Sequence, residues 1–380
     1  MKIGIITFHW GTNYGGILQA YALQTFLSKK GYDVFIIDYK PNRYNKSFIG
    51  YFNPMRAIWF AALLKNVFKG KGTIASSFKH VFVDYLNDLI KENKLQLFRE
   101  KNLNTTVHYE SLNELKKNPP EFDFYVTGSD QVWNTFFTTQ GEGQPTSTYF
   151  LDFGKARVKR IAYAVSFGCE EYPDEAKNIA NVYMKNFSAI SVRENSGASI
   201  VKDMGFENPI ILPDPTLLLS ASDYSNLIEG VSIRKENEAF SYFLRDNNKD
   251  IISLENYLKT KYNILNPANN LKPYSMEEWI SGIKNASLVL TNSFHGVVFS
   301  IIFHRPFIVV LSNEDSSNMN DRFYTLLTNL KLKDRIINSF NQKSIDNLLE
   351  ETIDWSFVDI EIKKMREQSD LFFNQHIDLI

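Results

Sequence analysis

Cysteine is almost missing: Cys169 is the one thiol in 380 residues. A lone thiol forms no intramolecular disulfide, and a four-cysteine zinc centre is excluded. An excess of charge is missing too, with 42 Lys+Arg against 43 Asp+Glu and a net charge of −1. That balance argues against a general nucleic-acid binder. No charge-free apolar run reaches the ~20 residues of a membrane-spanning helix. The opening run Met1 to Phe8 is too short for a signal peptide, so the expected location is the cytoplasm. There is no fixed-period repeat, no low-complexity tract and no GxGxxG fingerprint. Asp and His residues show no helical metal-ligand spacing, so neither a metal nor a bound cofactor is expected. Acid is missing locally as well. Between Asp38 and Asp84 there is no carboxylate, but eight basic residues occur (Lys40, Arg43, Lys46, Arg56, Lys65, Lys69, Lys71 and Lys79) among aromatic ones such as Tyr51, Phe52, Trp59 and Phe60.

What is present is core material: 44% of residues are apolar and 14% aromatic, which excludes dominant disorder. At ~100–200 residues per domain, the length suggests two domains. Ile3 to Thr7 reads as a strand, Gly11 to Gly16 as a turn, and Ile17 to Leu27 as a helix ending at Lys29-Lys30-Gly31. Val34 to Ile37 is a second strand, so the chain opens with a βαβ unit and a parallel sheet. A long helix is expected over 77–98. Further strands are expected at Phe122 to Val126, Ile161 to Ser166, Ala189 to Glu194 and a buried one at Pro209 to Leu212. Pro213-Asp214-Pro215 punctuates the chain, and the domain boundary is placed near residue 220. Phe240 to Leu244, Ser287 to Thr291 and Pro306 to Val310 supply strands of a second domain, residues 221–355. The final segment, 356–380, reads as a charged helix able to fold back on the first domain, residues 1–220, which carries the basic insertion 39–83.

In α/β proteins, ligand sites form at the turns that leave the carboxyl ends of parallel strands. Two such turns contain glycine. Asn13-Tyr14-Gly15-Gly16 lets a ligand approach a helix amino end, or is a tight turn needed for packing. Asn292-Ser293-Phe294-His295-Gly296 places a histidine between a buried strand and an apolar helix, either as a proton-transfer group or as a capped core residue. Arg193 ends another strand and is the best anion clamp of the first half, or else the partner of a carboxylate such as Glu194. Asp130, Gln131, Trp133 and Asn134 combine polar groups with an aromatic face, the usual means of holding a sugar. The alternative is that Trp133 is core and Ser129-Asp130 caps a helix. His9, Asn13 and Gln19 are further candidates from the opposite loop.

Taken together and in order, Asn13 to Gly16, Val126 to Asn134, Ser191 to Glu194, Asp214 to Thr216 and Thr291 to Gly296 resemble the polysaccharide pyruvyl transferases, over about residues 1 to 330. The resemblance implies two Rossmann-like domains in a GT-B-like arrangement with the active site in the cleft between them. It implies phosphoenolpyruvate as the donor co-substrate and a sugar, free or lipid-linked, as acceptor, joined as a pyruvate ketal with release of phosphate. By the same resemblance His295 is the catalytic acid and Arg193 holds the donor, with Asn292, Ser293, Gly296 and Arg322 beside it. Asn13, Gly15, Gly16, Gln19, Asp130, Gln131, Trp133 and Asn134 fall on the acceptor side. One position departs from the family pattern. Many members carry an arginine two residues before the histidine, where this chain has Ser293, so one donor contact is either missing or supplied elsewhere, by Arg322 or Arg305. Two other readings share the cleft, a nucleotide-sugar glycosyltransferase and a glycan-binding protein without catalysis. For the basic insertion, a weak peripheral contact with anionic membrane stands against a lid or dimer contact packed on protein.

Overall fold

The computed structural model describes residues 1–44, 74–207, 209–231, 238–244, 249–266, 272–311 and 320–377. Residues 45–73, which hold most of the basic and aromatic insertion, lie outside them.

Short apolar runs bounded by turns make the strands, and these pair in parallel throughout. The first sheet contains β1 (Lys2–Ile6), β2 (Asp33–Ile36), β3 (Phe124–Thr127), β4 (Lys159–Val165), β5 (Ala189–Val192) and β6 (Ile210–Ile211), in the order β2-β1-β3-β4-β5-β6. The second contains β7 (Glu238–Tyr242), β8 (Asn263–Leu265), β9 (Leu288–Thr291), β10 (Phe307–Val310) and β11 (Ile336–Ile337), in the order β11-β10-β9-β7-β8. Counted from its own first strand, each sheet begins 2-1-3-4-5. This is a doubly wound order with its topological switch between the first and third strands. Central strands are covered on both faces, so they carry runs such as Leu288-Val289-Leu290-Thr291, buried at every position. The strand expected at Pro209 to Leu212 shrinks to two residues at the sheet edge, and Ile210 is exposed.

Three apolar clusters follow from this layering. One covers the outer face of the first sheet (Ile6, Val132, Trp133, Phe167) and another the outer face of the second (Ala239, Leu290, Ile308). The third holds Ile3 and Val126 of the first sheet together with Phe240 and Val289 of the second. Helix Tyr14–Lys29 lies in that shared cluster and is apolar on most of its surface for this reason. Tyr14 stacks on Trp279 of helix Met276–Asn285 with ring centroids 5.3 Å apart, and its hydroxyl donates to Tyr274 O at 2.7 Å. The last helix, Trp355–Ile377, returns to the first sheet. Arg366 Nε and Nη2 donate to Leu217 O and Leu219 O at 2.6 and 2.7 Å, and Phe373 stacks on Tyr163 of β4 at 4.8 Å.

Candidate active site

The two switch points face each other. From the first sheet come the loop after β1, which leads into Asn13-Tyr14-Gly15-Gly16, and the turn after β3, which holds Asp130. From the second comes the loop after β9, where Ser293 caps helix Phe294–Ile302 and His295 sits in its first turn. The faces come into direct contact at Gly15. A Cβ added at Gly15 would fall 2.0 Å from His295 Nδ1 and 2.1 Å from its Cγ. Any side chain there would occupy the imidazole's place, and glycine is what lets the ring seat against the helix amino end.

The other edge of the imidazole points at Asp214, in the loop after β6. His295 Nε2 lies 3.4 Å from Asp214 Oδ2, close enough for ionic attraction but not aligned for a hydrogen bond. The same oxygen accepts from Arg193 Nη1 at 2.8 Å, while Asp214 Oδ1 accepts from Thr216 N and Oγ1 at 3.0 and 2.7 Å. Burial alone would raise the Asp214 carboxyl, but His295, Arg193 and Thr216 outweigh it and hold the group well below the usual carboxylate range. Asp214 is thus a fixed anion from which both the histidine and the arginine take their orientation.

Arg193 is buried and has two further carboxylates near it: Asp130 Oδ1 lies 3.5 Å from Nη2, and Glu194 Oε2 lies 3.6 Å from Nε. Neither contact is a hydrogen bond, so both nitrogens are buried without a hydrogen-bond partner. Burial pushes Glu194 up, while the three carboxylates outweigh burial at Arg193 and raise it. Arg322 stands beside them. Burial, then the repulsion of Arg193, pushes its guanidinium down to about 10, and its Nε is also buried and unpartnered. Both guanidinium groups flank the Phe294 ring, at 4.8 Å for Arg193 and 5.7 Å for Arg322. A cavity of about 290 Å³ opens against Arg193, Asp214, Phe294 and Arg322, with Lys364 and Gln368 of the last helix on its far wall. Two buried arginines with nitrogens that lack hydrogen-bond partners thus stand beside a cavity, with Asp214, Asp130 and Glu194 around Arg193.

The structure brings together His295, Arg193, Arg322, Gly15 and Asp130 from the residues singled out in the sequence. It sets others aside. Trp133 is fully buried, stacked on Phe150 at 5.0 Å with its Nε1 donating to Tyr149 O at 3.1 Å, so it offers no face to a sugar and belongs to the core. Gln19 is equally buried; its Nε2 donates to Thr7 Oγ1 and Gly16 O, and its Oε1 accepts from Ser129 N, which ties the loops after β1 and β3 together. Asn134 caps helix Thr135–Gln140 and Asn13 caps helix Tyr14–Lys29, each through its side-chain oxygen. Asn292 Oδ1 accepts from Leu244 N at 2.7 Å, anchoring the loop after β7. Ser293 is a buried cap whose Oγ accepts from Gly296 N at 3.4 Å; a donor contact would compete with that role. Gly296 packs against Thr291, Gly16 faces Asp130, and Gln131 lines a small hollow with Glu194 and Arg322. Arg305 is excluded as the substitute arginine. It precedes β10, at the amino end of the sheet, whereas His295 follows the carboxyl end of β9, its parallel neighbour.

Asp214 and Thr216 do not appear among the sequence candidates as site residues, although Asp214-Pro215-Thr216 stands out as a motif. An aspartate before Pro-Thr reads as a local turn cap, and the cap is real, since Thr216 N donates to it. Its second oxygen does the further work. Cys169 borders the hollow beside Arg322, and burial followed by Glu194 pushes its thiol up to about 11, which disfavours a nucleophilic thiolate.

No curated protein matches the sequence. Among solved structures, the UDP-GlcNAc 2-epimerase from Methanocaldococcus jannaschii is similar at 14% identity, with 93% of each chain covered and a TM-score of 0.45. The UDP-GlcNAc 2-epimerase from Neisseria meningitidis bound to UDP-GlcNAc aligns at 9% identity over 98% of this chain and 99% of that one, TM-score 0.47. S. aureus MnaA with UDP aligns at 11% identity over 100% and 97%, TM-score 0.48. The sequence profile of the polysaccharide pyruvyl transferases runs from residue 13 to residue 315, from the Asn13 cap past the His295 turn, and on that match the chain belongs to the polysaccharide pyruvyl transferase family.

Proposed function

We propose that the protein moves the enolpyruvyl group of phosphoenolpyruvate onto a sugar and closes it as a ketal. Family membership supports a transferase with a sugar or glycan acceptor. One observation carries the finer reading: His295 Nε2, Arg193 Nε and Nη2, and Arg322 Nε are all buried without hydrogen-bond partners around Asp214. The donor brings a phosphate and a carboxylate whose oxygens would satisfy the arginines. The His295 imidazolium, held by Asp214, protonates the methylene carbon, and cationic character develops at the adjacent carbon. A sugar hydroxyl adds there and its proton returns to the imidazole. The C–O bond to phosphate then breaks, a second hydroxyl closes the ketal, and its proton leaves with the phosphate as hydrogen phosphate. The sum balances without a metal or cofactor.

Calorimetry with phosphoenolpyruvate and with nucleotide-sugars, followed by phosphate release with candidate sugars, tests this. Binding of phosphoenolpyruvate and sugar-dependent phosphate release are expected. Binding of a nucleotide-sugar instead would move the protein to glycosyl transfer, and oligosaccharide binding without phosphate release would leave a glycan-binding protein. Among the described residues no helix is long and apolar enough to cross a membrane. For the insertion 39–83 we propose weak attraction to anionic membrane on sequence grounds, at about 1 kcal/mol per well-placed basic residue at low salt. Sedimentation with anionic and neutral vesicles decides it, and equal, negligible binding to both would end it.

A further inference from the structure

A second cavity, of about 260 Å³, lies at the carboxyl ends of β1 and β2 and is absorbed by none of the chemistry above. At its base Asp38 joins two histidines: His9 Nε2 lies 3.0 Å from Oδ1 and His108 Nδ1 lies 3.1 Å from Oδ2. His9 is buried and its Nδ1 meets Thr7 O at 3.2 Å, so both ring nitrogens face acceptors and the ring is locked. Burial opposes the Asp38 charge, but the two histidines outweigh it and lower the group. Asp38 and His108 are nevertheless reachable, with side chains 28% and 42% exposed. Trp10, Lys40, Glu92 and Glu100 also line the walls. Arg99 braces one side, with Nη1 donating to Gly11 O at 3.2 Å and Nη2 paired with Glu92.

The chemistry of this lining selects a ligand class. Cationic and anionic groups are mixed, so no phosphate-sized excess of positive charge exists. Carboxylates, imidazole and ammonium groups instead supply acceptors and donors together, a mixture that a neutral polyhydroxylated ring satisfies, beside the edge of Trp10, whose ring packs on Tyr44 at 4.7 Å. The volume falls just below the ~300–1,000 Å³ of larger ligand sites and suits a single sugar unit. Position links the two places through the chain. The loop carrying His9 and Trp10 continues to Gly15, which packs against His295, so one loop borders both this cavity and the reacting centre.

We propose that Asp38 and His108, with Trp10, form the acceptor subsite and receive the hydroxyls of a neutral sugar residue. The proposal rests on the pyruvyl-transfer reading and shifts the acceptor away from Gln19, Trp133 and Asn134, whose side chains are consumed by the fold.

Saturation-transfer NMR and calorimetry on the full chain would use methyl β-D-glucopyranoside, methyl β-D-galactopyranoside and methyl α-D-mannopyranoside as probes. At least one should bind, and Asp38→Asn and His108→Ala should each weaken it about tenfold, as expected for losing a charge-assisted hydrogen bond. Phosphoenolpyruvate binding, measured on the same proteins, should stay as in the parent. His108 is 42% exposed, more than Asp38, so its variant keeps the test open if Asp38→Asn does not fold. Binding of none of the three glycosides, undiminished binding in the variants, or displacement of the glycoside by inorganic phosphate would overturn the assignment. Failure of the parent to bind phosphoenolpyruvate would instead strike the donor reading and leave the glycoside result standing by itself.

Discussion

Replacing Gly15 by alanine tests the contact on which the site depends. The new methyl would start 2.0 Å from His295 Nδ1, and Cβ atoms essentially never approach a neighbour closer than 3.0 Å, so ring or helix must retreat by at least the 1.0 Å difference. Overpacking of this kind costs about 1–3 kcal/mol. Alanine in place of glycine in a helix returns about 0.8–1 kcal/mol, so the net loss of stability should be only ~0–2 kcal/mol. Turnover should suffer more, because a displacement of about 1 Å in a reacting group can cost ~10²-fold. Gly16→Ala is the matched control. Its methyl would meet its nearest neighbour, Asp130 Oδ2, at 3.6 Å, an ordinary contact, so it should be neutral or stabilising by up to ~1 kcal/mol. Chemical denaturation gives the stabilities, and phosphate release with an active sugar gives the rates. A folded Gly15→Ala protein that turns over at the parent's rate would show that His295 is not held against this turn, and the facing-loop account of the site would fall.

His295→Gln should lower turnover by ~10²-fold or more while donor binding in calorimetry persists; near-normal turnover would remove it as the acid. Arg193→Lys should weaken phosphoenolpyruvate strongly, because lysine cannot donate to Asp214 and to an anion through one planar fork; unchanged affinity would leave Arg193 as a purely structural partner of Asp214. Trp133→Ala should cost about 3–5 kcal/mol of stability and, in whatever folds, leave the acceptor constant alone; a raised acceptor constant with unchanged stability would return Trp133 to the sugar site. The depressed Asp214 carboxyl contributes stability that is present above the unfolded-state value of about 3.9 and is lost as pH falls below it. Melting temperatures measured from pH 5 to pH 2, roughly the span over which such a group is lost, should therefore fall more steeply for the parent than for Asp214→Asn. Parallel slopes would remove Asp214 from the acid response.

Elements built from uninterrupted apolar runs were legible in the sequence, because a parallel strand covered on both faces must be apolar throughout; β3 and β9 are of this kind. The edge strands β8 and β11 have two or three residues and no such pattern, and their place depends on a neighbour already laid down. Within the site, His295 and Arg193 stood out because each follows an expected parallel strand at its carboxyl end, where α/β proteins place ligand sites. Asp214 did not, since its partner His295 is 81 positions away and only the closure of one sheet onto the other joins them. Trp133 misled in the opposite direction. A tryptophan among polar neighbours after a strand looks like a sugar platform, but the chain turns it inward onto Phe150 and Phe167. The value of Gly15 is invisible locally as well, because the atom that forbids a side chain comes from the other half of the molecule.

Because Ile3, Val126, Phe240 and Val289 share one cluster with Val358, Phe372 and Phe373 of the last helix, neither half owns its inner apolar face. Pulling the halves apart would bare that face on both at once, and each would then lack the burial that repays its loss of chain entropy. Calorimetric melting should accordingly show one endotherm in place of two, and a cut between β6 and β7 should yield fragments that stay associated or aggregate, not two independent domains. Any hinge opening between the halves would have to break this continuous interior, so cleft chemistry and global unfolding draw on the same packing.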